Sequence, residues 1–186
     1  METPAFFEAF LQWDRRATDR VLLPANRVWL REIAKLLAHS GDVYVCGAVL
    51  VALWFLGGRS WQAPALALAT GLVVAEVAVM IVKAILRRPR PQGDWGRIYR
   101  RLDPFSFPSG HAARAMMLCL LTFRMFPWWV FAIVLAWSPF MVWSRVALGI
   151  HYVSDALGGF VLGLGITWGV IGLSAWILAI LPRLAP

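Results

Sequence analysis

Residues Ala63 to Pro91, APALALATGLVVAEVAVMIVKAILRRPRP, decide the fold. From Ala63 to Leu86 the run is apolar apart from Thr70, Glu76 and Lys83, and it is long enough as a helix to cross a hydrocarbon layer of about 30 Å. It closes on Lys83-Ala-Ile-Leu-Arg-Arg-Pro-Arg-Pro91, a cluster of cations where such a helix must leave the membrane. Two further polar stretches, Pro108–His111 (PSGH) and Ser144–Asp155 (SRVALGIHYVSD), also stand at the ends of apolar segments.

Working outward, the sequence predicts four more spans: about Val43–Leu56, His111–Phe126, Trp128–Trp143 with a kink at Pro139, and Asp155–Leu181. The first is short and is expected either to borrow residues from Leu37 to Asp42 or to be tilted little. The last is studded with glycines, among them Gly159 and Gly163, which let a neighbouring helix come close. Whether that neighbour is another span or a second subunit is left open by the spacing. Five spans put the N-terminal segment, the loop after the second span and the loop after the fourth on one side, so all three polar stretches meet there.

Residues 5–38 read differently. Phe6, Phe7, Phe10, Leu11 and Trp13 recur with helical spacing on one side, against Asp14, Arg15, Arg16, Asp19 and Arg20. Pro24 interrupts, and a second amphipathic piece sets Val28, Ile33, Leu36 and Leu37 against Arg27, Arg31, Glu32 and Lys35. Two helices lying in the interface plane and packing on the bundle edge are expected. The predicted fold is therefore all-α: a single membrane-embedded domain over residues 1–186, with an amphipathic segment (1–42) and a bundle of about five transmembrane helices (43–181).

Composition agrees. Of 186 residues 60% are hydrophobic and only 15% charged, against about 25% charged in an ordinary soluble domain, and mean hydropathy is +0.68. Eleven Trp residues suit a chain with many membrane boundaries. The net charge of +8 falls at the ends of apolar segments and outside any nucleic-acid-binding module, so anionic and phosphorylated lipids are the expected partners rather than nucleic acid. Cys46 and Cys119 lie in apolar runs and read as small hydrophobes. No basic start followed by an apolar run stands at the N-terminus, so no cleavable signal peptide is expected. Oligomeric state is not legible.

Lys83, Arg90 and Arg145 are fixed cations converging on one membrane face, and their mutual repulsion calls for an anion at the centre; phosphate suits them. Arg87 and Arg88 either join them or touch headgroups. Ser109, Gly110 and His111 open the third span, where backbone N–H groups at a helix start can hold phosphate oxygens and Gly110 permits close approach. His111 then stands beside the anion as a proton donor. His151 and Asp155 are four residues apart, one helical turn, so the carboxylate can fix the imidazole in one tautomer and leave its other nitrogen to attack. A metal site is rejected: three or four ligands are needed, and the other candidate, His111, sits among cations. No cofactor is expected. His39 reads as an interfacial residue. Glu76, deep in its span, must face protein and reads as a packing residue or a participant. Arg114 reads either as a contact for a second phosphate or as a snorkelling side chain.

Lys83, six residues, Arg90-Pro91; Pro108-Ser109-Gly110-His111; and Ser144-Arg145, five residues, His151, three residues, Asp155 together resemble the three-part signature of the type 2 phosphatidic acid phosphatase superfamily, which also includes vanadium haloperoxidases. Every signature position is matched. The resemblance implies that His151 forms a phosphohistidine, Asp155 supports it, His111 protonates the leaving group, and Lys83, Arg90, Ser109, Gly110 and Arg145 bind the phosphoryl oxygens without metal. Many members have six spans; here amphipathic helices stand in place of the first, a plan similar to small bacterial undecaprenyl-diphosphate phosphatases. The expectation is thus a lipid phosphatase acting on undecaprenyl diphosphate, with phosphatidylglycerophosphate or phosphatidic acid as alternatives. A non-catalytic lipid-phosphate carrier is the rival of another class, disfavoured because it has no use for both histidines. Soluble haloperoxidases do not match so apolar a chain.

Orientation is balanced between two arguments. Six Lys/Arg in the N-terminal segment, seven from Lys83 to Arg101 and Arg145 outnumber Arg59, Arg124 and Arg183 opposite, which taken alone puts the site in the cytoplasm. Three or more of these cations are accounted for by phosphate chemistry, and the similar undecaprenyl-diphosphate phosphatases work outside. The expected location is the cell (inner) membrane with the site on the extracytoplasmic face.

Overall fold

A computed structural model describes residues 5–91 and 103–180. Most of the 92–107 loop, including the basic residues Arg97, Arg100 and Arg101, lies outside the described residues. Seven helices are present among those described: α1 (Ala5–Val21), α2 (Val28–Ser40), α3 (Val43–Leu56), α4 (Arg59–Leu86), α5 (Gly110–Met125), α6 (Trp128–Ala147) and α7 (Val153–Ile180). The chain is an all-α membrane bundle.

Among the described residues, three helices are long and apolar enough to cross a bilayer alone: α4, α6 and α7 over Val153–Leu173. The pair α2 and α3, bent by 56° at Gly41-Asp42, gives a fourth crossing if the two are taken together as one span. The count therefore differs from the five spans expected. Helix α5 has 16 residues, about 24 Å, shorter than the hydrocarbon layer, and packs at the centre of the bundle against α4, α6 and α7. The lipid-facing character of the others shows in exposed side chains such as Val73, Val77 and Ile81 on α4, Phe140 on α6 and Val161 on α7.

Close packing of α5 on α7 follows from the predicted glycines. A methyl group added to Gly159 would stand 2.5 Å from the Ser109 carbonyl oxygen and 2.7 Å from Ala112 Cβ, and one on Gly163 would meet the Ala113 carbonyl. The partner of this small-residue face is α5. Leu68, Leu72, Met117, Leu121, Ile166 and Val170 fill the core on one side, while Ala112, Ala115, Met141, Val146 and Ala156 join α5, α6 and α7 nearer the polar stretches.

The amphipathic helices keep their apolar faces off the bundle, as helices lying in the interface plane do. Val28, Ile33 and Leu36 of α2 are exposed, and it packs inward through Ala34 and Ala38 against Leu148 and Ile150 of the α6–α7 turn. On α1, Phe6 and Trp13 are exposed, and the buried residues are Asp14 and Thr18. Their apolar faces are left for lipid.

Candidate active site

Three connections draw the polar stretches together. Pro89 and Phe105 form a bridge, Ser106 N–H donates to the Arg88 carbonyl at 2.8 Å, and Ser109 N–H donates to the Asp155 carbonyl at 2.9 Å. The segment ahead of α5 is thus stitched both to the end of α4 and to the first turn of α7. Leu148, Gly149 (φ 70°) and Ile150 turn the chain from α6 to α7, with Ile150 N–H and His151 N–H both donating to the Arg145 carbonyl at 3.0 and 3.3 Å. A positive φ is what a glycine accepts without strain, and the turn delivers His151 back under Arg145.

His151 is buried, with Nδ1 3.5 Å from Asp155 Oδ2 and Nε2 3.4 Å from an Arg90 guanidinium nitrogen. The carboxylate on the Nδ1 side places the ring proton there, and the Nε2 lone pair faces the cations. Burial, and then the positive charges of Arg90, Arg145 and Lys83, hold the imidazole neutral well below its ordinary range. A neutral imidazole whose Nε2 carries the lone pair has the protonation state that nucleophilic attack requires.

Lys83, Arg90 and Arg145 are all buried and lie near enough to act on one another electrostatically. Arg90 also donates to the Ile150 carbonyl at 3.1 Å. Between Lys83 and Arg90 lies a residue that no motif marks: Asp103 pairs with Lys83, accepts from Arg90 Nη2 at 2.8 Å through its carboxylate, and accepts from Arg90 Nε at 2.7 Å through its carbonyl. An anion does occupy these cations, and here it is a side chain of the protein.

Ser109 is buried and caps α5, accepting from Ala112 N–H at 3.4 Å. A methyl group on Gly110 would meet Val79 and Arg114 only at 3.5 and 3.6 Å, ordinary contact, so no protein group demands a glycine there. His111 takes an Arg114 N–H on Nδ1 at 3.1 Å; because guanidinium only donates, Nε2 carries the proton. Nε2 lies 3.1 Å from both the Ala38 carbonyl and Asp42 Oδ1. Asp42 Oδ2 is in turn 2.9 Å from His39 Nδ1, so His39 is half-exposed but tied to a carboxylate that also holds His111.

Two open readings close. Arg114 is buried, paired with Glu76 and bonded to the Gly41 carbonyl at 3.1 Å, so it neither snorkels nor stands ready for a second phosphate. Glu76 is the partner that makes that buried cation tolerable. Arg88 does not simply touch headgroups: it donates to Asp155 Oδ1 at 2.8 Å, and its guanidinium lies 4.1 Å from the Tyr152 ring centroid.

Two hollows meet beside this cluster. One, about 420 Å³, is lined by Arg15, Thr18, Arg90 and Gly149; the other, about 450 Å³, by Phe7, Phe10, Leu11, Leu86 and Phe107. They share Arg15, Pro89 and Tyr152 as a common wall, so a polar cleft touching Arg90 adjoins an apolar groove.

The PAP2 superfamily model matches residues 64–178, which contain all three polar stretches. The chain belongs to the PAP2 superfamily. It is 32% identical over 141 residues to decaprenylphosphoryl-5-phosphoribose phosphatase of Mycobacterium tuberculosis, covering 74% of this chain and 77% of that one. It is 28% identical over 161 residues to phosphatidylglycerophosphatase B of Bacillus subtilis, covering 80% and 77%. Among solved structures, a transmembrane PAP2-type phosphatidylglycerolphosphate phosphatase from Bacillus subtilis superposes with a TM-score of 0.71 at 25% identity over 91% of this chain and 88% of that one. Aquifex aeolicus LpxE shares the fold, with a TM-score of 0.65 at 20% identity over 87% and 94%. This PAP2 protein is a multi-pass membrane phosphatase acting on lipid phosphate.

Proposed function

We propose that this PAP2 phosphatase removes a terminal phosphate from a polyprenyl-linked lipid through a phosphohistidine on His151. The carrying observation is the disposition of the His151 ring, Nδ1 toward Asp155 and Nε2 toward Arg90. The Nε2 lone pair attacks phosphorus while Lys83, Arg90, Arg145 and the Ser109–His111 helix start hold the oxygens. The bond to the leaving oxygen breaks, and His111, whose Nε2 proton rests against Asp42, supplies the proton. Asp155 stabilises the charge that appears on the His151 ring, and water then cleaves the N–P bond to release phosphate.

The polyprenyl chain is supported by the relative that carries a decaprenyl group in its name and by the apolar groove adjoining the Arg90 cleft. Undecaprenyl diphosphate remains a substrate of this class, although Arg114, the residue the sequence offers for its second phosphate, is engaged elsewhere. Phosphatidylglycerophosphate is the second reading, favoured by the likeness to the Bacillus subtilis structure. We place the site on the extracytoplasmic face of the cell membrane because catalysis accounts for part of the positive charge there.

Phosphate release by the purified protein, measured across undecaprenyl diphosphate, decaprenylphosphoryl-5-phosphoribose, phosphatidylglycerophosphate and phosphatidic acid, tests the substrate. Highest kcat/KM on a polyprenyl lipid is expected. Preference for phosphatidylglycerophosphate would replace the substrate but keep the chemistry; binding without release from any of them would make the protein a carrier. Thiol-reagent access to a cysteine placed in the 92–107 loop of intact cells tests the side.

A further inference from the structure

Helix α1 turns a polar face inward, and that face holds the catalytic end of α7. Asp14 is 0% exposed and Thr18 2%. Val153 N–H donates to Thr18 Oγ1 at 3.1 Å and Ser154 N–H to Asp14 Oδ1 at 2.9 Å. The first N–H groups of a helix have no partner within it, so α1 caps α7 from another part of the chain. Asp155 completes the turn by accepting the Tyr152 N–H at 2.8 Å.

The second oxygen of Asp14 carries the link further. Asp14 Oδ2 accepts from Ser154 Oγ and from Arg88 Nη2, each at 2.5 Å, while Arg88 Nη1 donates to Asp155 Oδ1 at 2.8 Å. A line of contacts therefore runs from Asp14 through Arg88 and Asp155 to His151. A fully desolvated carboxylate is unfavourable unless it is paired and hydrogen-bonded, and an apolar residue would have docked α1 without that penalty. The charge count gives the carboxylate a purpose. Arg88 alone would cancel Asp155; with Asp14 present, two carboxylates share one guanidinium, so this three-residue group carries one negative charge on the Nδ1 side of His151, opposite the Arg90 cation at Nε2.

We propose that Asp14, acting through Arg88, is a positioning residue for the His151–Asp155 pair, so that α1 belongs to the catalytic apparatus and is more than an anchor. The proposal rests on the phosphatase reading of His151. Loss of the Asp14 charge weakens the orientation of Asp155 and its support of the charged ring that forms on attack, whereas substrate contacts are untouched. The effect falls on kcat.

The test uses the full chain with Asp14→Asn, Asp14→Glu, Asp14→Ala and Arg88→Lys, assayed on the preferred lipid phosphate of the panel, alongside hydrogen exchange of the Val153–Asp155 amides and thermal melting. Asp14→Asn keeps an acceptor for the Ser154 N–H and is expected to lower kcat by about 10- to 100-fold, the scale of one hydrogen bond to a charged group, with KM changed less than about twofold. Asp14→Glu should recover part of the loss, and Asp14→Ala should also speed exchange at Ser154. Wild-type kcat in Asp14→Asn, a change confined to KM, or a kcat loss that merely follows melting temperature across the four variants would each overturn the proposal. If the wild-type protein releases no phosphate from any lipid, the phosphatase reading falls and the positioning role with it, while exchange at Val153–Asp155 still reports whether Asp14 caps α7.

Discussion

Asp103 grips Arg90 twice, by its carbonyl at 2.7 Å and its carboxylate at 2.8 Å, and the same carboxylate pairs with Lys83. Two cations proposed to bind phosphate are thus held by an internal anion. Substrate has to compete with the carboxylate, so Asp103→Asn is expected to lower KM and the inhibition constant for inorganic phosphate by about two- to fivefold, the scale of a partly exposed ion pair. Steady-state kinetics with phosphate as inhibitor reads this. A raised KM would show that Asp103 orients Arg90 instead of competing for it.

Arg90 uses its planar fork in several directions, with Nε and Nη2 on Asp103 and Nη1 toward Ile150 and His151. Arg90→Lys keeps the charge but cannot reproduce that fan of donors. A fall in kcat/KM of roughly 10- to 100-fold is expected from the loss of one or two charge-assisted bonds. Near wild-type turnover would remove Arg90 from the phosphate contacts.

What the sequence made legible was whatever is local or repeated. Apolar runs gave the helices, the glycines of α7 gave a face open to close approach though not its partner α5, and the spacings around Lys83–Arg90 and His151–Asp155 gave the cations and the histidine with its acid. What stayed hidden were carboxylates whose partners are distant in sequence. Asp14 sits in WDRRATDR, which reads as a solvated charged face, and its partners Arg88 and Ser154 lie 74 and 140 residues away. Asp42, 69 residues from His111, stands at the break between α2 and α3, where Ser40-Gly41 marks a turn but nothing in the sequence names the partner of the carboxylate. Glu76 announced itself because an acid in the middle of an apolar run must find a partner; only the packing of α4 on α5 named Arg114.

The depressed affinity of His151 for protons sets the sign of its pH dependence. Between an ordinary imidazole value of about 6.5 and the lower value in the fold, the unfolded chain takes up a proton that the folded protein refuses, so this group lowers stability as pH falls through that window. In the same window the folded protein keeps His151 neutral. The His151 ring resonance in labelled protein should therefore show no titration near pH 6.5. A step there would mean that the surrounding cations do not act on the ring as the geometry requires.

Lys83, Arg90, Arg145 and the helix N–H groups are proposed to bind the phosphoryl oxygens and so to do work that a metal ion does in other phosphatases. Activity is expected to persist in EDTA and to be inhibited by vanadate, which copies the five-coordinate phosphoryl state. Loss in EDTA with recovery on adding a metal would refute this division.

The two histidines should fail in different ways. His151 is proposed to attack phosphorus, so His151→Ala removes the bond-breaking step for every substrate, and no phosphoenzyme forms. His111 is proposed to give its Nε2 proton, held between Asp42 and the Ala38 carbonyl, to the leaving oxygen. A lipid alkoxide is a poor leaving group and needs that proton, whereas an activated aryl phosphate departs without it. General-acid assistance is typically worth ~10²–10⁴-fold, so the contrast is large enough to measure. Accordingly, His111→Ala should keep far more of its relative activity on an aryl phosphate than on a lipid phosphate, while His151→Ala should be inactive on both. Asp42→Asn, which leaves the imidazole in place but removes the carboxylate beside it, should show the His111→Ala pattern in weaker form. Equal losses by His111→Ala and His151→Ala on both substrates would mean that His111 holds the phosphoryl group rather than protonating what leaves it.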